Sequence, residues 1–463
     1  MSLKIKSIKV QSFFFYLVCS IPLFPYIFLQ YKYGVNVPFW DDWEMVDLYR
    51  MWIIDERLSF ASLWVPHNEH RILVANWIGL GLARLTQFNT LVPMYLATVV
   101  KGLTVILIWK LLRVTVKHLD IIILSSFGLL ASIIMFSIHD GELLIWGIPS
   151  LYWNVYVFFQ LLMFYMLTAR ANTWLGILTA SMAVIICSLI ISNGLILIII
   201  GGLQITICNI LHKRRLFNWK LTYWVVVMTV FLMIYFYDYH PSSMQDSRSF
   251  VAWALSNLSI VVRFFLTYMT SIMAFSPRWT VGALGILIFA FLIYYFAQFY
   301  PERFKQLLPW FLIGLNVLMG AMLTTYGRVK LGIEASDESR YMALSRFFWF
   351  GLFVILIVAF NQHFEKRMSA NLRRVGTIMI LLMFFLLPIT VSNINAYSAL
   401  RPHWTRFSDG LGYLYQYETA TDKDLESLYP SGPRVRNLIQ FLDKYDQGPF
   451  APNYRPLHNK EIY

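Results

Sequence analysis

Charge is scarce in this chain. Asp, Glu, Lys and Arg make up 14% of its 463 residues, against roughly a quarter in ordinary soluble domains. With 58% hydrophobic residues, a soluble fold would leave far too much apolar surface in water. Cysteine is scarcer still. Cys19, Cys187 and Cys208 all fall within apolar runs, which excludes a disulfide framework and leaves no metal-ligand spacing. There is no phosphate-cradling glycine-rich loop, no short-period repeat and no low-complexity segment, which argues against nucleotide-driven chemistry.

What is present is length in apolar runs. Stretches of about 18–22 residues recur, enough to cross a hydrocarbon core of roughly 30 Å as helices. The alternating segments of about ten residues that build a membrane barrel do not occur. The expected fold is therefore all-α, a polytopic membrane protein with about eleven transmembrane helices. Those helices are expected near 10–29, 91–110, 120–137, 152–169, two within 174–210 broken at Ser192-Asn193-Gly194, 221–238, 280–298, 307–326, 343–361 and 375–391. Lys4, Lys6 and Lys9 precede the first run like a signal peptide. The bulky Phe24, Tyr26 and Phe28 continue the run, so it reads as a retained first helix.

A net charge of +13 would suggest nucleic acid if it were clustered on one surface. Instead the basic residues sit in short links: Lys110 to Lys117, His212 to Arg215, Arg303 to Lys305 and Lys366 to Arg374. Such links mark cytoplasmic loops. The expected orientation puts the N-terminus inside and the C-terminus outside, in a bacterial inner membrane, with no nucleic-acid partner. The stretch 250–276 carries Arg263 at its centre and reads as an amphipathic helix along the interface, because an intramembrane arginine is costly. Residues 1–392, including an outer loop at 30–90, are expected to form the membrane domain. Residues 393–463 are expected to form an outer region, with helical spacing at Val435 to Leu442 that suggests a small folded cap.

With that topology the acids and histidines concentrate outside. Asp41 and Asp42 lie between Trp40 and Trp43, with Glu44 next to them. Aromatic walls desolvate a carboxylate and suit it to general-base work. Neighbouring helical residues point about 100° apart, so one of the pair faces a given substrate. The plain alternative is an aromatic belt with solvated acids. His67, Glu69, His70 and Arg71 form a second cluster, with the histidines three apart. It would position phosphate or hydroxyl groups, or hold a metal, or be a polar helix start. His139, Asp140 and Glu142 form a third, a second acid cluster or a polar turn, with the turn favoured. Arg328, Arg340 and Tyr341 flank a link with Glu334, Asp337 and Glu338. Arginine forks suit phosphate oxygens, and the acids offer salt bridges. Arg263 and Arg278 are weaker candidates for the same anion.

A first helix, a large outer loop with an acidic pair, many further helices and an outer C-terminal part together resemble the GT-C superfamily of membrane glycosyltransferases. The layout is also similar to the serotype-conversion (Gtr-type) O-antigen glucosyltransferases. The resemblance rests on Asp41-Asp42, His67 to Arg71, and Gly327 to Tyr341. It implies inverting transfer of a sugar from a polyprenyl phosphate to a glycan or glycolipid acceptor such as lipopolysaccharide. It further implies Asp41 or Asp42 as base; on the chemistry of the other residues, Arg328 and Arg340 would hold the leaving phosphate, and His67, Glu69, His70 and Arg71 would position donor or acceptor. Neither the Asp-Glu dyad of protein mannosyltransferases nor the extended motifs of oligosaccharyltransferases is present, which leaves a divalent metal open. An O-antigen polymerase or ligase, or a transporter of lipid-linked sugar, are the rival readings.

Overall fold

The computed structural model describes residues 19–213, 215–216, 218–240, 247–272 and 277–453. Most of the helix expected at 10–29 lies outside them. Nineteen helices follow in order: α1 (Leu23–Tyr33), α2 (Asp41–Ile53), α3 (Phe60–Trp64), α4 (Leu73–Thr86), α5 (Leu91–Thr115), α6 (Ile121–Met135), α7 (Gly147–Ala169), α8 (Trp174–Ser188), α9 (Ile196–Leu211), α10 (Trp219–Phe236), α11 (Ser247–Ser256), α12 (Leu258–Met269), α13 (Arg278–Phe299), α14 (Pro301–Arg328), α15 (Ser339–Phe364), α16 (Ala370–Leu381), α17 (Leu387–Tyr415), α18 (Asp422–Glu426) and α19 (Gly432–Lys444). No strand occurs among the described residues. The chain is an all-α polytopic membrane protein. Among the described residues seven helices are long and apolar enough to cross a membrane, or nine if each of two bent pairs is one span.

Side-chain oxygens start several helices where the links end. Asp120 accepts from Ile122 N–H (2.9 Å), Thr173 from Gly176 N–H (3.1 Å) and Asn218 from Leu221 N–H (3.2 Å), each satisfying an orphan donor of a first turn. The break at Ser192-Asn193-Gly194 is real. A 3-10 turn, Ser192–Leu195, leads into α9. A Cβ on Gly194 would lie 2.3 Å from the Cys187 carbonyl carbon, so only glycine lets the chain fold back onto the end of α8.

The stretch 250–276 is not one straight crossing. Phe250–Ser256 and Leu258–Met269 meet at a 93° bend, and residues 273–276 lie outside the described set. The helix expected at 375–391 does not stop near 391 and is not among the candidate spans of the described residues. After α16 the chain passes through a π-turn, Leu382–Leu386, into α17, which runs unbroken to Tyr415. Leu400, Phe407 and Leu414 on α17 are buried at seven-residue spacing. That stripe docks the largely polar second half of the helix, where no long apolar run marks it.

The C-terminal segment closes over the stretch 34–90. Val435, Leu438, Ile439 and Leu442 form the buried stripe of α19. Its polar side grips α2: Arg434 meets Glu44 (2.6 Å) and Asp47 (2.9 Å), and Asn437 accepts from Arg50 (2.7 Å). Trp40 N–H donates to the Leu428 carbonyl (2.9 Å) and Gly448 N–H to that of Gln87 (2.6 Å).

Candidate active site

The helix that carries the acidic pair begins under strain. Trp40, its N-cap, has φ 46° and ψ −113°, a conformation that L residues rarely adopt. As consecutive residues of the helix, the two carboxylates point about 100° apart. Asp41 points into a cavity of about 710 Å³, where Tyr152 of α7 donates its hydroxyl to the carboxylate (3.3 Å). Asp42 turns inward and is fully buried. Its oxygens accept from Phe39 N–H (3.2 Å) and Ile148 N–H (3.2 Å). Burial pushes its pKa up to about 8, against these backbone donors. Asp42 fastens the start of α2 to the start of α7 and does not line the cavity.

Eight of the twelve residues singled out by sequence line that one cavity: Asp41, Glu44, His67, Glu69, His70, Arg328, Arg340 and Tyr341. They come from α2, from the turn before α4, from the end of α14 and from the start of α15. His67 and His70 do not share a helix face. Each N–H donates to the other's carbonyl (2.8 and 2.9 Å), and Asn68 takes φ 53°, so they close a tight turn. The Ser192 N–H donates to His70 Nδ1 (3.2 Å). Because a backbone N–H can only donate, Nδ1 is the acceptor and the ring proton sits on Nε2. That Nε2 faces Glu69 at 3.6 Å. Burial pushes His70 down to about 4, against the neighbouring Glu69 charge and with the Arg328 and Arg340 charges adding to the effect.

The two arginines are each pre-positioned by a carboxylate. Arg328 meets Glu69 at 2.5 Å, and Arg340 pairs with Glu338. Glu44 forms the wall toward the cap. Burial alone would raise its pKa, but hydrogen bonds from Arg434 and Tyr429 hold it below the ordinary carboxylate range. Part of the lining is apolar: Ile199, Phe236 and Leu323 line the cavity and keep solvent-exposed surface.

Four expected site residues are not brought to the cavity: Asp42, Arg71, His139 and Asp140. Arg71 is buried, donating to the carbonyls of Tyr235 (2.7 Å), Tyr237 (2.7 Å) and Trp64. It caps the last turn of α10 and lies over the Trp64 ring at 4.5 Å. His139 Nε2 is 2.8 Å from the Ser271 carbonyl and Nδ1 is 2.9 Å from Ser392 Oγ, a staple between the bent helix pair and α17. Asp140 is sealed between Lys101 and Arg346. Those two cations also donate to the carbonyls of Met135 (3.0 Å) and Ile134 (2.9 Å) at the end of α6.

Sequence reasoning passed over Tyr152, and it noted Ser192 and Asn193 only as a helix break, although all three line the cavity. A hydroxyl within an apolar helix carries no charge to flag it. Among the described residues no group of three or more His, Cys, Asp or Glu is placed to hold a metal ion.

No protein-family model matches the chain, and no curated protein matches it. Among solved structures it is similar to the archaeal oligosaccharyltransferase AglB from Archaeoglobus fulgidus, in complex with an inhibitory peptide and a dolichol-phosphate. Identity is 12% and the TM-score 0.47, over 91% of this chain. The chain spans 60% of that protein's length.

Proposed function

We propose that the chain is a membrane glycosyltransferase that moves a sugar from a polyprenyl phosphate to a glycan hydroxyl, in the periplasm of a bacterial cell. One observation carries this reading: a single cavity joins a carboxylate, two arginines and a histidine to exposed apolar side chains, Ile199, Phe236 and Leu323. A lipid phosphate needs both halves, cations for its head and an apolar opening for its tail.

The step is a direct displacement. Asp41 takes the proton of the acceptor hydroxyl as its oxygen forms a bond to the anomeric carbon. The bond from that carbon to the phosphate oxygen breaks, and the electron pair leaves with the lipid phosphate. Arg328 and Arg340 stabilise the growing charge, and His70 offers an N–H from Nε2. Attack opposite the leaving group inverts the anomeric centre. Asp41 takes the base role over Asp42 because it alone of the pair faces the cavity. Glu69 and Glu338 orient the arginines. O-antigen or lipopolysaccharide is the proposed acceptor, as in Gtr-type enzymes.

A second reading is favoured by one feature. The broken helix at Ser192–Leu195 lines this cavity, and transporters of lipid-linked substrates build sites at such breaks. The test separates the two. The protein in liposomes is incubated with radiolabelled polyprenyl-phosphate hexoses, with lipopolysaccharide as acceptor, with and without EDTA. Label leaving the lipid, and lost in Asp41→Asn, is the expected result. Label that crosses the bilayer with its bond intact would replace the transferase with a transporter.

A further inference from the structure

The far ends of the same helices carry a second built cavity. It has a volume of about 280 Å³ and is lined by Asp120, Arg303, Gln362, Glu365, Arg373 and Arg374, among others. Arg303 lies 25 residues before Arg328 on α14. At 1.5 Å per residue that separation is about 37 Å, more than a hydrocarbon core of roughly 30 Å. The two cavities therefore lie toward opposite ends of α14.

The arginines of this cavity are incompletely satisfied. Arg374 pairs with Asp120 at 2.5 Å. Arg303 is held by neutral groups, the amide oxygens of Gln362 (3.1 Å) and Gln306 (3.0 Å), which fix the guanidinium without cancelling its charge. Arg373 reaches only the Asn361 carbonyl, at 3.4 Å. The Nε atoms of Arg373 and Arg374 are buried with no hydrogen-bond partner among the described residues, an unusual state for such a strong donor. Glu365 stands exposed and accepts from Gln362 (3.3 Å). Three guanidinium groups thus face two carboxylates, and the surplus lies on Arg303 and Arg373.

Beside this polar hollow runs an apolar strip. Ile121 and Ile122 begin α6 immediately after Asp120, and Leu372, Val375 and Met379 interleave with the arginines on α16. All five are exposed, and the two helices pack side by side. A site with a cationic hollow and an adjoining apolar strip matches a ligand with a phosphate head and hydrocarbon tails.

We propose that this cavity binds the phosphate of a glycerophospholipid, with its acyl chains along the strip between α6 and α16. The proposal is independent of the transferase reading.

The test uses the full chain in detergent, exposed to phosphatidylglycerol, washed, and read by mass spectrometry for retained lipid. Wild type should retain phosphatidylglycerol and release diacylglycerol of the same chain length. The double variant Arg303→Gln, Arg373→Gln should bind roughly thirtyfold more weakly, the loss expected for two arginines at a lipid surface. Arg113→Gln with Lys117→Gln, exposed charges outside the cavity, should bind as wild type, and Arg373→Lys should retain most of the binding. Equal retention of the two lipids by wild type would overturn the proposal whether or not any variant folds. So would release of phosphatidylglycerol by inorganic phosphate alone, which would make the ligand a soluble anion.

Discussion

Asp41 and Asp140 each place a carboxylate in a largely apolar molecule, and the surroundings assign them opposite work. Asp140 is 1% exposed and faces two cations, Lys101 and Arg346, that are themselves sealed. Those cations also satisfy carbonyls at the end of α6. The cluster is closed on itself and leaves no surface for a ligand. Asp41 has a hydroxyl partner, Tyr152, and otherwise opens onto a cavity whose arginines are partly exposed. Ionisable residues at membrane depth are usually read as functional. Here accessibility, not ionisability, separates the two roles.

The contrast can be broken first by neutralising each acid. Asp41→Asn should lower turnover by about 10²–10⁴, the usual worth of a general base, while the melting temperature in detergent stays put. Asp140→Asn should do the reverse. It strands two buried cations, a loss of about 3–5 kcal/mol, read as a collapse in folded yield and melting temperature. A folded Asp140→Asn that lacks turnover would move the sealed cluster into the reaction.

Asp42 sharpens the comparison, being buried like Asp140 but without a cation partner. Asp42→Asn must present an amide N–H₂ to one of the two backbone donors, Phe39 N–H or Ile148 N–H. The expected loss is about 1–3 kcal/mol, with turnover largely kept. The pH dependence has a definite sign. The folded pKa lies above the unfolded one, raised from 3.8 to about 8. The folded chain therefore keeps a proton that the unfolded chain releases. That contribution is full below the unfolded value and is lost as pH rises through about 8. The gap in melting temperature between wild type and Asp42→Asn should be widest near the acid end and narrow toward pH 9. A gap of constant width would show that Asp42 titrates as an ordinary carboxyl.

The helices were largely legible because each apolar run is long enough to be seen alone. The second half of α17 was not, since its buried stripe is one residue in seven within a largely polar stretch. Most of the cavity was legible as polar clusters at the ends of apolar runs. Arg71, His139 and Asp140 misled because their chemistry matches that of a site. Their roles depend on partners far along the chain, such as Arg346, 206 residues from Asp140, and Tyr235, 164 residues from Arg71. One signal was available: Lys101 and Arg346 sit inside apolar helices, and an intramembrane cation calls for a buried partner.

The smallest expected effect tests whether the cap belongs to the site or merely covers it. Glu44 lines the cavity on one side and is gripped on the other by Arg434, at 2.6 and 2.9 Å, and by Tyr429 at 2.5 Å. Arg434 is partly exposed, so solvent weakens the pair, and Arg434→Gln should loosen the cap by about 0.5–1 kcal/mol. Limited proteolysis should then cut faster between α17 and α19. If Glu44 contacts substrate, releasing it should raise KM several-fold and leave kcat nearly unchanged, because an interaction equal in ground and transition states affects KM alone. Tyr429→Phe removes one donor while keeping the ring, and should move both readouts in the same direction by less. Faster proteolysis with an unmoved KM would make the cap a cover, with Glu44 serving α19 and not the substrate.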